Sequence, residues 1–175
     1  MPDVGGLYAI YGEARAWREL ALGDPPDDRP LYVGKAEDSL IARDVKTHFV
    51  NGRTGSSTLR RSFAALLREP LDLRAQPRNP TKPERFANYG LAKGDDERLT
   101  TWMRGRLTLA VWTKQPGVAL ADVERAMLAA WKPPLNLKDV TTPWRGQVST
   151  ARKLMVADAR RWAHDRGFDG ERPRR

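Results

Sequence analysis

The stretch that decides the fold is Gly6-Leu7-Tyr8-Ala9-Ile10-Tyr11, near the start of the chain. It is short, apolar and aromatic, and glycine bounds it, so the pattern predicts a β-strand. Pro30-Leu31-Tyr32-Val33-Gly34 has the same character and predicts a second strand, antiparallel to the first. A third strand is predicted at residues 107–113, Leu-Thr-Leu-Ala-Val-Trp-Thr.

Helical patterns fill most of the remaining chain. The predicted helices cover residues 39–49, about 58–69, 95–104, 120–131 and 143–165, with a short helical stretch around residues 14–21. Residues 70–94 are rich in Pro, Arg and Asn and are predicted to be irregular. A small sheet covered by helices belongs to the α+β class. We expect one domain over residues 1–140, with residues 141–175 forming a basic C-terminal helix and tail packed on it.

The composition excludes several classes of site. The chain has 175 residues, no cysteine and two histidines, so thiolate zinc sites, cysteine nucleophiles and His-rich metal cages are excluded. No secretory signal precedes the first strand and no apolar run is long enough to span a membrane, so we expect a cytoplasmic protein without a membrane partner.

The net charge of +9 is unevenly distributed. Residues 51–90 carry eight Lys/Arg against three Asp/Glu, and residues 140–175 carry nine against four, whereas residues 1–50 carry six against nine. Clustered Lys and Arg favour a polyanion, because they release counterions from phosphates. The alternative is a soluble, Arg-rich protein with no such partner.

The two aromatic strands carry a paired signature. Gly6-Leu7-Tyr8 and Tyr32-Val33-Gly34 resemble the two tripeptides of the GIY-YIG endonuclease superfamily. Further matching features follow in family order. They are Lys35-Ala36, Arg43, His48, the helix that carries Glu124, and Pro133-Pro134-Leu135-Asn136. These elements cover about residues 5–137.

The resemblance implies a fold and a reaction. The fold is a three-stranded antiparallel sheet flanked by helices, and the reaction is phosphodiester hydrolysis with one divalent metal, Mg²⁺ or Mn²⁺. Glu124 would be the metal ligand, Tyr8 the general base, and Arg43 the cation on the phosphate. Tyr32, Lys35, His48 and Asn136 would act in support.

One spacing departs from the family pattern. His48 follows Arg43 by five positions, about 140° apart on a regular helix, and Thr47 occupies the position four residues on. Either a local bulge brings His48 back to the site or His48 lies outside it. Arg60 and Arg61, on the next predicted helix, are a second candidate for the cationic role and for nucleic-acid contact.

Glu124 also stands out from its helix alone. Leu120, Met127, Leu128 and Trp131 share its side of the helix. A carboxylate within an apolar stripe is costly to bury unless a cation or hydrogen bonds satisfy it. A metal ion would meet this need, and a structural salt bridge is the alternative.

The predicted C-terminal helix completes the nucleic-acid hypothesis. Four cations, Arg145, Arg152, Lys153 and Arg160, lie beside its apolar stripe. The leading hypothesis is a metal-dependent endonuclease acting on DNA, with RNA as an alternative substrate. A second hypothesis is a nuclease-like protein that binds nucleic acid without cleaving it. The enzyme would act alone or as a module recruited by a protein partner.

Overall fold

The computed structural model describes residues 4–40, 48–138 and 140–168 of the chain. Its main sheet has three antiparallel strands, β1 (Gly6–Gly12), β2 (Tyr32–Ala36) and a strand at Leu107–Thr113, with β1 in the centre. The last of these, β5, has the predicted bounds. The predicted α+β class and three-stranded antiparallel sheet are confirmed.

Five α-helices have their bounds within the described part of the chain. They are α1 (Ala14–Glu19), α2 (Thr58–Leu66), α3 (Lys93–Arg106), α4 (Leu120–Trp131) and α5 (Arg145–His164). Most of the helix predicted at residues 39–49 lies outside the described residues. The segment predicted to be irregular instead contains a small hairpin, β3 (Ala75–Gln76) with β4 (Gly90–Leu91), and a 3-10 helix at Pro83–Asn88 between them. None of the described helices is long and apolar enough to cross a membrane.

The two faces of the sheet have different environments. Tyr8 and Ile10 lie on one face and join the main hydrophobic core, which also includes side chains of α1, α2, α3 and α5. Leu7 and Val33 lie on the opposite face, which packs against α4. Residues directly opposite on antiparallel strands share a face, so the pairing of Tyr8 with Gly34 and of Leu7 with Lys35 fixes these sides.

Helix α5 packs against α2 and the small hairpin. Met155 and Ala159 are fully buried in the main core. The guanidinium of Arg68 makes two hydrogen bonds, 2.8 and 2.9 Å long, to the carboxylate of Asp158, which is 5% exposed. This two-bond geometry is the strong form of an arginine–carboxylate pair, so it fixes α5 to the end of α2.

Candidate active site

The paired tripeptides meet at Gly34. A Cβ atom on Gly34 would lie 2.5 Å from the hydroxyl oxygen of Tyr8 and 2.9 Å from the ring of Tyr32. Glycine is therefore required at this position, because any side chain would displace both tyrosines. The ring centroids of Tyr8 and Tyr32 are 6.0 Å apart. Tyr8 is buried and Tyr32 is partly exposed on the same face of the sheet.

His48 lies in this aromatic cluster despite its unusual spacing. Its Nε2 atom is 3.0 Å from the Tyr8 hydroxyl, and its ring centroid lies 5.7 Å from Tyr8 and 6.5 Å from Tyr32. His48 is buried and has π-helical backbone geometry, in which a turn holds one more residue than in an α-helix. His48 therefore contacts the tyrosines, contrary to the alternative that it lies outside the site. Arg43 and Thr47 lie outside the described residues.

Lys35 and Glu124 lie on the other face of β2. Lys35 Nζ is 3.0 Å from Glu37 Oε1 and 3.9 Å from Glu124 Oε2. Burial raises the pKa of the Glu124 carboxyl, the charge of Lys35 opposes that rise, and Glu37 adds to it. The pKa of Lys35 is raised, and the largest cause is its hydrogen bond to Glu37. One ammonium therefore balances two carboxylates that repel each other.

The surroundings of Glu124 differ from the prediction. Its side chain is 22% exposed, and of the apolar residues expected around it only Leu120 is buried. Met127, Leu128 and Trp131 are partly exposed. The prediction that this whole apolar stripe is buried beneath the sheet is thus wrong. The sheet is narrow, and α4 packs on it mainly along β2. Glu124 lies at the border of this contact, where a carboxylate is desolvated yet still reaches water.

Asn136 is joined to β2 through its amide side chain. Its Oδ1 accepts a hydrogen bond from Val33 N–H at 2.9 Å, and its Nδ2 donates to the Val33 carbonyl at 2.7 Å. The adjacent Leu135 N–H donates to the Leu31 carbonyl at 3.0 Å. Asn136 therefore fixes the backbone between Tyr32 and Gly34, which makes it a positioning residue for the tyrosine cluster.

Arg60 does not lie on the surface, and the prediction that it contacts nucleic acid is wrong for this conformation. It is fully buried, and its guanidinium donates to Asp96 Oδ2 at 3.0 Å and Thr100 Oγ1 at 2.8 Å. Thr54 Oγ1 and Gly52 N–H also donate to the Asp96 carboxylate. This network joins α2, α3 and the loop that precedes α2, so the charge of Arg60 is used within the fold.

Arg61 is buried as well, at 6% exposure, and the same correction applies. It donates to the Gly55 carbonyl at 2.8 Å and to Thr58 Oγ1 at 3.0 Å. Burial lowers the pKa of Arg61, and the nearby charge of Arg152 lowers it further. Neither arginine of α2 is exposed enough to take the phosphate-binding role that the resemblance predicts for Arg43.

The predicted cations of α5 remain at the surface. Arg145, Lys153 and Arg160 are exposed and Arg152 is partly exposed. Arg145 also donates to the carbonyls of Leu137 and Val140, which holds the segment after Asn136 against the start of α5. These side chains could reach phosphates without rearrangement of the core.

A groove adjoins Glu124 on the outer side of α4. Its volume is about 480 Å³, and it lies between α4 and residues 140–141. Its lining includes the apolar side chains of Leu128 and Val140 and the exposed cations Arg125 and Lys132. The groove therefore combines apolar surface with two positive charges beside the Glu124 carboxylate.

A model of the GIY-YIG catalytic domain family matches residues 24–154, which is more than half of the chain. The chain belongs to the GIY-YIG catalytic domain family. The matched range begins after the first tripeptide, so in this GIY-YIG domain the place of Tyr8 rests on the strand register and on the contact with Gly34. No curated protein and no solved structure matches the chain significantly.

The carboxylates of this GIY-YIG domain fit a lightly ligated divalent cation. No three His, Asp or Glu side chains among the described residues are close enough to share a metal ion. Glu124 and Glu37, however, already share one cation, the Lys35 ammonium. Mg²⁺ often takes one or two carboxylates and keeps several waters, so this donor set suits it.

Two members of the site were not predicted from the sequence. Ser57 lies at the start of α2, and its hydroxyl both caps that helix and contacts His48. Glu37 follows Lys35 by two positions and therefore lies on the same side of the chain. The alternation of an extended strand end could have identified Glu37. The contact of Ser57 depends on tertiary structure and has no sequence signal.

Proposed function

We propose that this protein is a metal-dependent endonuclease that hydrolyses phosphodiester bonds in DNA. The observation that carries the proposal is the cluster of buried Tyr8 and His48 with partly exposed Tyr32 around the bare backbone of Gly34, in a chain of the GIY-YIG family. Glycine here costs backbone entropy and is explained if the two tyrosines must approach each other. Buried hydroxyl and imidazole groups held together in this way are typical of acid–base chemistry.

Each group has a role that matches its place. Tyr8, once its own hydroxyl proton has passed to solvent, accepts the proton of the attacking water as a phenolate, and His48 is in contact with its oxygen. Tyr32, partly exposed beside Tyr8, borders the position of the reacting phosphate. By its position in the sequence, Arg43 is assigned to the phosphate charge. Asn136 keeps β2 in register with both tyrosines.

Glu124 is proposed to hold the metal, Mg²⁺ or Mn²⁺, with Glu37 near enough to assist. When bound, the metal would polarise a phosphoryl oxygen and stabilise the leaving alkoxide. Lys35 lies between the two carboxylates, and with a metal held there its ammonium would be available to a phosphate oxygen. Because β2 is an edge strand, a phosphate at its edge could be approached by Tyr32 from one face and by Lys35 and Glu124 from the other.

DNA binding is proposed to use the cations of α5 and the groove beside Glu124. Arg145, Arg152, Lys153 and Arg160 would neutralise phosphates without reading sequence. The groove, with Arg125 and Lys132 in its lining, would hold the strand on one side of the cleaved bond.

The direct test is cleavage of supercoiled plasmid DNA with Mg²⁺, with Mn²⁺ and with EDTA. We expect nicked or linear product with either metal and none with EDTA. Tyr8→Phe removes the hydroxyl and should lower the rate by at least about 100-fold, as loss of a general base does. Tyr11→Phe is the matched control, because Tyr11 lies on the same strand with the opposite orientation, and it should cut normally. Binding without cleavage under both metals would instead support the second hypothesis, a nuclease-like binding protein.

A further inference from the structure

Ser57 makes two hydrogen bonds at once. Its side chain caps α2, since Oγ accepts the N–H of Arg60 at 3.1 Å. The same oxygen lies 2.9 Å from His48 Nδ1. Ser57 and His48 are both buried, at 2% and 4% exposure, so water does not take the place of either partner.

The protons of this pair can be counted. A serine hydroxyl has one proton to donate, and capping uses an oxygen lone pair only. Within the described structure, the acceptor in reach of the hydroxyl proton is His48 Nδ1, 2.9 Å away. A neutral imidazole has one acceptor nitrogen and one N–H, so if Nδ1 accepts, Nε2 carries the ring proton. Nε2 is the atom that lies 3.0 Å from the Tyr8 oxygen.

We infer that Ser57 is a positioning residue that fixes the ring proton of His48 on Nε2 and so directs an N–H donor at the Tyr8 oxygen. This inference rests on the proposed function, in which Tyr8 is the base. A hydrogen bond donated to a phenol oxygen favours its anionic form, which arises when the hydroxyl proton passes to solvent and which then accepts a proton from water. His48 would then assist Tyr8 as a donor and would not itself take the proton.

The backbone of His48 is fixed by the same region. Arg60 Nη1 donates to the His48 carbonyl at 2.8 Å, and Arg60 is itself bound to Asp96 at 3.0 Å. Ser57 thus directs the ring while Arg60 fixes the main chain. Ser57 is the N-cap of α2 and Arg60 lies in its first turn, which makes the start of this helix the support for the Tyr8 side of the site.

The tautomer can be measured without nuclease activity. The chain has two histidines, so protein labelled with ¹⁵N-histidine gives two ring systems. His164 is exposed and serves as reference, and the His48→Ala variant assigns the signals. At neutral pH we expect a pyrrole-type shift at His48 Nε2 and a pyridine-type shift at Nδ1. A ring proton on Nδ1, or a doubly protonated ring, would overturn the inference.

Two variants test the role of Ser57 itself. Ser57→Gly removes the hydroxyl but keeps a residue tolerated at a helix N-cap, and Ser57→Thr keeps the hydroxyl. Thr should preserve the Nε2–H pattern and the cleavage rate. Gly should give averaged ring shifts and lower kcat by about tenfold, the value of one hydrogen bond, with KM unchanged. Unchanged ring shifts in the Gly variant, or full cleavage by it, would overturn the positioning role. Should the wild type not cut, the proposed function fails, and the ring shifts alone decide the assignment of the tautomer.

Discussion

Two ion pairs in this molecule have opposite characters. Arg60 and Asp96 are 0% and 3% exposed, 3.0 Å apart, and surrounded by further donors from Thr54 and Gly52. Lys35 and Glu124 are 33% and 22% exposed and 3.9 Å apart, and Lys35 is shared with Glu37. The first pair has nearly every hydrogen-bonding position filled by the protein, whereas the second leaves room for water and another ligand.

The difference shows where charge is structural and where it is available for chemistry. A buried, fully bonded pair is expensive to break, because either partner left alone is a buried charge. Burial lowers the pKa of Arg60, and the charge of Asp96 opposes that effect. The pKa of Glu124 is raised, because the positive charge of Lys35 does not fully offset the cost of burying the ionised carboxylate. A carboxylate in that state gains from an added cation.

The largest effect on stability should follow from breaking the closed pair. Asp96→Asn leaves the Arg60 guanidinium buried without its counter-charge. We expect a loss of about 3–5 kcal/mol in the free energy of unfolding, measured by urea denaturation. Glu97→Gln, on the exposed side of the same helix, is the control and should change stability little. Equal effects of the two variants would contradict the distinction between the pairs.

Glu124→Gln should have the next largest effect, and on catalysis alone. We expect metal-dependent cleavage to fall by at least about 100-fold, equivalent to about 2.7 kcal/mol, because the proposed metal ligand is lost. Asp122→Asn, an exposed carboxylate on the same helix, is the control. Addition of Mg²⁺ should raise the melting temperature of the wild type and not of Glu124→Gln.

The pH dependence of this variant gives a further measurement. A raised pKa in the folded state means that protonated Glu124 favours folding, and this contribution is lost as the pH rises through the folded pKa. At neutral pH the Gln variant should therefore melt at the same temperature as the wild type or higher. A lower melting temperature, with cleavage retained, would show that Glu124 belongs to a structural pair.

A smaller effect is expected at the surface cations of α5. Reversal of Arg152 and Arg160 to Glu should weaken DNA binding at low salt. The dependence of log K on log salt should become less steep, by an amount equivalent to the loss of about two phosphate contacts. The matched control reverses Arg15 and Arg18, exposed cations on α1, with the same change in net charge. Equal weakening by both variants would indicate that net charge, and not the surface of α5, determines binding.

The smallest effect should come from Lys35→Met when no metal is present. Both ion pairs of Lys35, to Glu37 and to Glu124, are partly exposed, so their loss should leave the melting temperature in EDTA unchanged. The two carboxylates would then lack their shared cation, and stabilisation by Mg²⁺ should appear at lower metal concentration. A clear loss of stability in EDTA would mean that the open pair resembles the closed one.

Local patterns predicted much of this fold. β5 and α4 have the bounds that alternation and helical period predicted, and the two tripeptides pair as expected, because these features depend on neighbouring residues. Arg60 was misplaced because its partner Asp96 is 36 positions away and the helix pattern contains no trace of it. The burial of the apolar residues around Glu124 was overestimated. Helical periodicity predicts which side of a helix faces the sheet, but it does not predict how wide that sheet is.

The amide of Asn136 has a consequence for the dynamics of β2. An edge strand normally exchanges its outward N–H groups with solvent readily, since no neighbouring strand protects them. The Val33 N–H is instead held by Asn136 Oδ1, so its hydrogen exchange should require the segment after α4 to detach. The exchange rate of this single amide would thus report how often the support of the tyrosine cluster opens.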